Sequence, residues 1–483
     1  MEVQSGCHNL RLQPAANPDR GTRTMARTHS FTQLDEQPFK RFHWLTMFTT
    51  GMGVFTDGYD LSSIGLVLPL VLASFGVAHI TGLESGMLAG SALVGAAVGA
   101  LIFGVLAQGG RKKYYGLDVT LMAIMAAAQA FAPDLWSLIG IRFILGIGIG
   151  ADYVLSPTIM AEHANRRDRG KKIGLGFGVM WPTGAAVAAV LSLILGSLGV
   201  DDDLRWRLVL SFGCVPAISV LYLRRKMPET ARYLGRLAGN AAGATHVVRH
   251  ITGAPPATAP LLDRREWRTV LSRHARAIFG AALLWLLFDI VVYSGILFGP
   301  SLIARGLGLA PTTFSLITSF VFVIPGALIG VSLIDRIGRK QLQILGFIGA
   351  AVMLGLFAWQ RNQAMAAPAY GMLLFGLYSL LITAGPSTVA GAGILGVELS
   401  PTRIRTIGQS ITVVGGRIGA SIAAFLFPLL FGFMGETGVI WLLAGVSVVG
   451  AICTMLLIPE TAGRSLEEIN ADAEADLAPS GAD

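Results

Sequence analysis

Charge is what this chain has least of. Only 14% of its 483 residues are Asp, Glu, Lys or Arg, where a soluble domain needs about 25% to cover its surface. That shortage excludes an ordinary water-soluble fold. Cysteine is scarcer still, and Cys7, Cys214 and Cys453 offer no disulfide framework. Residues 1–37 lack an apolar core, so no cleaved signal peptide is evident. Either Met1 or Met25 can serve as the start. The constellations of enzyme chemistry are also missing. There is no Ser/His/Asp set and no His/Cys cluster at metal spacing, and the eight His residues are scattered. The glycine run Gly146, Gly148, Gly150 sits inside an apolar stretch, so it implies helix packing and no phosphate loop. These absences argue against an enzyme and against a cofactor.

What the chain has is long apolar runs. Hydrophobic residues make up 53% of it, and mean hydropathy is +0.63. Twelve segments are long enough to cross about 30 Å of hydrocarbon as helices: 43–74, 83–107, 114–132, 136–163, 171–198, 207–224, 277–303, 312–334, 341–360, 367–396, 407–433 and 438–458. The net charge of +8 is placed unevenly. Lys and Arg gather at 20–41, 111–113, 166–172, 224–276, 336–340, 403–405 and 464, all on one side of a twelve-span layout. The opposite loops hold only Arg205, Arg207, Arg305 and Arg361. Such asymmetry puts the basic loops and both termini in the cytoplasm of a multi-pass plasma-membrane protein. The charge is then a topology signal, and the partner it implies is a bilayer, not nucleic acid.

The chain also repeats its punctuation. IDRIGRKQ at 334–341 echoes AQGGRKKY at 107–114, PETAGRSL at 459–466 echoes PETARYL at 228–234, and VELSPTRIRT at 397–406 echoes AEHANRRDRG at 161–170. Arg339 follows Arg111 by 228 positions, Glu460 follows Glu229 by 231 and Glu398 follows Glu162 by 236. A shared offset argues for a duplicated unit. The expected fold is all-α and membrane-integral, with twelve transmembrane helices in two pseudo-symmetric six-helix halves. The halves are 41–224 and 276–460. A basic linker covers 225–275, and the tails are 1–40, disordered, and 461–483.

Six ionisable residues fall well inside spans: Asp57, Asp60, Arg142, Asp152, Asp289 and Arg417. Each costs about 2.5–3.5 kcal/mol at a helix centre, so each must face a cavity or a partner. In WLLFDIVVY, Trp285, Asp289 and Tyr293 are spaced four apart and share one helix face. Their own helix supplies no cation. Arg417 lies about 11 residues into its span, roughly 16 Å deep. Asp60 and Arg142 lie on antiparallel spans, in the outer half of each. A buried carboxyl favours its neutral form, which suits loading and release of a proton.

The loop Gly330, Asp335, Arg336, Gly338, Arg339, Lys340 and the PET motifs make residues 40–470 resemble the major facilitator superfamily. The run from Arg142 to Gly150 and PETAGRSLEEI resemble its sugar-porter branch. FTDGYDL, GIGADYVLSPTIMAEHA, the Trp-Asp-Tyr triplet and SPTRIRTIGQSITVVGGRIGA together resemble its phosphate:proton symporters. The resemblance implies alternating-access symport of a small polar or anionic solute with protons, inorganic phosphate first. A sugar or organic-acid porter is the alternative, and a non-transporting receptor is less favoured. The resemblance assigns Asp152, Tyr153, Trp285, Asp289, Tyr293 and Arg417 to substrate, and Asp57, Asp60 and Arg142 to proton coupling. Arg111, Lys112, Glu162, Arg169, Asp335, Arg336, Arg339, Glu398 and Arg405 read as gate residues. The chain departs from the phosphate pattern at Met180 (Gln in the family), Ser387 (Asn) and Arg417 (Lys). Its first gate loop is one residue short, with Gln108 in place of Asp. A monomer is consistent with this reading.

Overall fold

The computed structural model describes residues 30–77, 82–256 and 258–470. Cys7 and both candidate start residues lie outside them. Among the described residues, ten helices are long and apolar enough to cross a membrane. One of these, Arg405–Leu457, is broken at Gly435, whose φ of 69° only glycine adopts freely. We number its parts α11 (405–434) and α12 (436–457). The remaining nine are α1 (Arg41–Ser74), α2 (Gly82–Leu106), α4 (Leu135–His163), α5 (Arg169–Ser197), α6 (Asp202–Lys226), α7 (Trp267–Gly306), α8 (Pro311–Ile337), α9 (Arg339–Trp359) and α10 (Pro368–Glu398). The shorter α3 (Leu117–Gln129) completes twelve. Gly116, at φ 113°, starts it three residues later than the apolar run suggests.

Glycines set how closely the helices approach. A Cβ on Gly95, Gly99, Gly146 or Gly150 would strike the backbone of the facing helix, which locks α2 against α4. Gly415 and Gly419 do the same for α11 on α7, and Gly58 and Gly184 for α1 on α5. Large apolar side chains such as Leu101, Val105, Phe131, Leu429 and Phe433 are exposed on the outer faces, as expected of helices solvated by lipid.

Four helices are widened by π-type turns: α5 at Gly174–Val179, α7 at Gly299–Ile303, α8 at Thr318–Val323 and α10 at Thr383–Gly391. The basic-loop end is more structured than expected. Residues 30–40, read as part of a disordered tail, include the helix Thr32–Glu36. Phe31 and Leu34 pack there with Ala231, Val248 and Ile251. The last three belong to segment 225–275, which itself holds helices Ala231–Arg236 and Ala241–Thr252. Residues 267–275 of that segment are already the first turns of α7.

Candidate transport site

A cavity of about 150 Å³ lies between α1, α4, α5, α7, α8, α10 and α11. Its walls include Ser62 and Leu66 from the far half of α1 and Phe314, Thr318 and Val323 from the near half of α8, so it is displaced away from the basic loops. Each widened turn contributes to it: Phe177 and Gly178, Pro300, Thr318 and Ser319, and Ser387. Such turns shift side chains off the regular helical register and are frequent at functional sites.

Trp285, Asp289, Tyr293, Tyr153 and Arg417 all line this cavity. Asp289 is 2% exposed, and its Oδ2 has no hydrogen-bond partner. Arg417 Nη1 donates to Tyr293 Oη at 2.8 Å, and its guanidinium lies 4.4 Å above the Tyr153 ring. Its Nε is buried with no acceptor. Asp57 sits one layer behind the wall. It accepts from Trp181 Nε1 at 3.0 Å and pairs with Arg417 Nη2 at 3.5 Å. Trp181 was not among the sequence candidates, because an isolated Trp in a span reads as packing. Among the described residues no group of three or more His, Cys, Asp or Glu is arranged to hold a metal ion.

Asp152 differs from expectation. It is absent from the cavity wall and points instead to Arg224, whose Nη1 donates to Asp152 Oδ1 and Asp118 Oδ2, both at 2.6 Å. Arg224 is fully buried at the end of α6 and stacks on Tyr115 at 4.5 Å. A buried cation must be neutralised, and Gly53 leaves the room for this pair on α1.

Asp60 and Arg142 do meet, at 3.4 Å with neither side chain exposed. Gln129 bridges them, donating to Asp60 Oδ1 at 2.9 Å and accepting from Arg142 Nη1 at 3.0 Å. Removing one partner leaves the other charge buried and unpaired, at a cost of about 3–5 kcal/mol. Asp60→Asn should therefore lower the melting temperature of the detergent-solubilised protein, and adding Arg142→Gln should recover part of the loss. An unchanged melting temperature in Asp60→Asn would refute the mutual dependence of the pair.

At the basic-loop end the repeated motifs build two matching locks. In one, Glu162 pairs with Arg111 at 3.3 Å and with Arg405 at 2.8 Å, and Thr230 donates to it. In the other, Glu398 pairs with Arg339 at 3.1 Å and with Arg169 at 2.7 Å, and Thr461 donates to it. Each Glu thus takes one Arg from its own half and one from the other. Asp335 adds Arg339 at 2.7 Å and the Lys171 N–H at 2.7 Å. Its counterpart Gln108 makes only a neutral bond, to Thr406 Oγ1 at 2.6 Å. Lys112 and Arg336 are exposed and take no part in the locks. Lys112 supplies only its backbone N–H, to Glu229, and Lys340 supplies the same to Glu460. Burial pushes the Glu229 carboxyl up, against the pull of the Thr230 and Lys112 N–H groups. Outside the locks, Arg232 joins Glu467 at 2.8 Å and Asp35 at 3.0 Å, tying three separate segments together.

Residues 46–473 match the family model described as sugar (and other) transporter. The chain is 32% identical to a protein of Oryza sativa subsp. japonica named probable inorganic phosphate transporter 1-10, over 93% of each chain. It is 30% identical to probable inorganic phosphate transporter 1-6 of Arabidopsis thaliana, over 91% of this chain and 96% of that one. Among solved structures, the proton:xylose symporter XylE bound to 6-bromo-6-deoxy-D-glucose superposes with a TM-score of 0.74 at 21% identity, over 89% of this chain and 98% of that one. The inward-open form of XylE from E. coli gives 0.65 at 21% identity, over 89% and 99%. The chain thus shares the fold of XylE, which is described as a major facilitator superfamily symporter, and it belongs to the sugar (and other) transporter family.

Proposed function

We propose that this protein is a proton-coupled symporter of a small anion, with inorganic phosphate the first candidate because its relatives bear that name. The observation that carries the reading is the pair of unspent groups at the cavity, Arg417 Nε and Asp289 Oδ2. With Asp57 behind the wall, the local formal charge is one cation against two carboxylates. An anion is repelled by that set until one carboxyl takes up a proton. The proton both removes a negative charge and turns a carboxyl oxygen into a donor. Anion and proton binding then strengthen each other reciprocally. The two locks close the basic-loop end while the cavity sits toward the other, as alternating access requires. In this reading the basic loops and both termini are cytoplasmic, and the membrane is the plasma membrane.

Asp289→Asn tests the proposal. It removes a buried charge, so the protein should still insert. Uptake in proteoliposomes should fall about tenfold or more, and anion affinity should lose its dependence on pH. Wild-type uptake with an unchanged pH profile would sink the reading. A neutral-sugar porter is the second reading, favoured by the aromatic wall and by the sugar analogue in the XylE structure. It leaves the Arg417 charge without a purpose in the cavity.

A further inference from the structure

The cavity is larger and more apolar than a tetrahedral oxyanion needs. At about 150 Å³ it matches the volume at which an apolar protein cavity takes up benzene. Its charged groups gather at the Arg417, Asp289 and Tyr293 end. Beyond them the wall carries rings and aliphatic chains, among them Phe288, Val292, Ile296, Phe314, Phe375 and Tyr378, with small hydroxyls such as Thr318 between them. Phe375 stands at the centre of this part, tilted against Phe314 at 5.1 Å and edge-on to Tyr378 at 5.5 Å. Aromatic rings prefer such tilted and edge contacts to face-to-face stacking, so the wall offers a slot for one more flat ring.

Arg417 spends one Nη1 proton on Tyr293 and directs one Nη2 proton at Asp57, and its remaining N–H groups include an Nε with no acceptor. Asp289 Oδ2 gains a single donor when it carries a proton. Ser387 puts a short hydroxyl on the wall where an amide would reach further, and Met180 packs against Gly51 away from the wall. A guanidinium edge can present two parallel N–H groups to the two oxygens of one carboxylate.

We propose that the transported anion is an aromatic monocarboxylate, with its carboxylate held between Arg417 and Asp289 and its ring in the Phe314–Phe375–Tyr378 slot. This rests on the anion reading of the same cavity and narrows it. The two fail separately in one experiment, isothermal titration of the full chain in detergent with benzoate, acetate, inorganic phosphate and xylose. Benzoate should bind about tenfold or more tighter than acetate or phosphate, since burying a ring is worth at least that. Phe375→Leu keeps an apolar wall without the ring. It should weaken benzoate several-fold and leave acetate unchanged, with cooperative melting retained. Phosphate binding tighter than benzoate overturns the aromatic assignment and leaves the anion reading standing. Xylose binding without any anion binding overturns both. No heat from benzoate in cooperatively melting protein overturns the aromatic assignment, as does benzoate affinity unchanged in Phe375→Leu.

Discussion

Arg417→Gln should lower anion affinity by about 100-fold or more. A hydrogen bond to a charged group is worth about 1.5–3 kcal/mol, and a guanidinium can present two in parallel to one carboxylate or phosphate. Losing about 3 kcal/mol is two decades in affinity. Arg417 also pairs with Asp57 at 3.5 Å, so the single variant alone does not separate anion binding from charge balance. The double variant Arg417→Gln with Asp57→Asn does. If Arg417 only neutralises Asp57, removing both charges restores transport with unchanged selectivity. If it holds the anion, affinity stays low in the double variant. Full recovery of anion affinity would rule out the substrate role.

Glu398→Gln should open the basic-loop end. It strips Arg169 and Arg339 of a carboxylate that is fully buried between them. Breaking such a group costs about 3–5 kcal/mol, enough to move a two-state equilibrium by roughly 100-fold or more. Amide hydrogen exchange in peptides covering 164–173 and 399–406 should quicken markedly. By the repeat, Glu162→Gln should do the same through Arg111 and Arg405. Unchanged exchange in both variants would mean that the locks do not hold this end shut.

The parts of this molecule legible in sequence are those where one residue contradicts its surroundings. Asp289 in WLLFDIVVY and Arg417 in an apolar span each announce a partner or a cavity, and period-four spacing puts Trp285 and Tyr293 beside Asp289. The offset motifs likewise foretell that Glu162 and Glu398 do matching work. Pairing across helices is harder to read, because no spacing in one dimension encodes it. Asp152 is visibly a buried acid, yet nothing local says that Arg224 claims it. Arg224 was hidden by company, sitting at the edge of a basic stretch where every cation reads as a topology signal. Gln129 carries no charge and gives no cue that it bridges Asp60 and Arg142. The widened turns are also silent in sequence, since Gly and Pro in a span are equally compatible with ordinary close packing.

The grouping of these ion pairs bears on how the chain is made. Synthesis delivers the first six helices to the membrane before the last six exist. Arg142 with Asp60 and Gln129, Arg224 with Asp118 and Asp152, and Arg111 with Glu162 all find their partners within residues 1–226. The early half can therefore satisfy its intramembrane cations while it waits in the bilayer. Arg417 is placed differently, since the carboxylate it pairs with, Asp57, sits on α1, the first of the twelve long helices. The earliest span thus holds a counter-charge in store for one of the last, and the docking of the two halves completes the neutralisation of both.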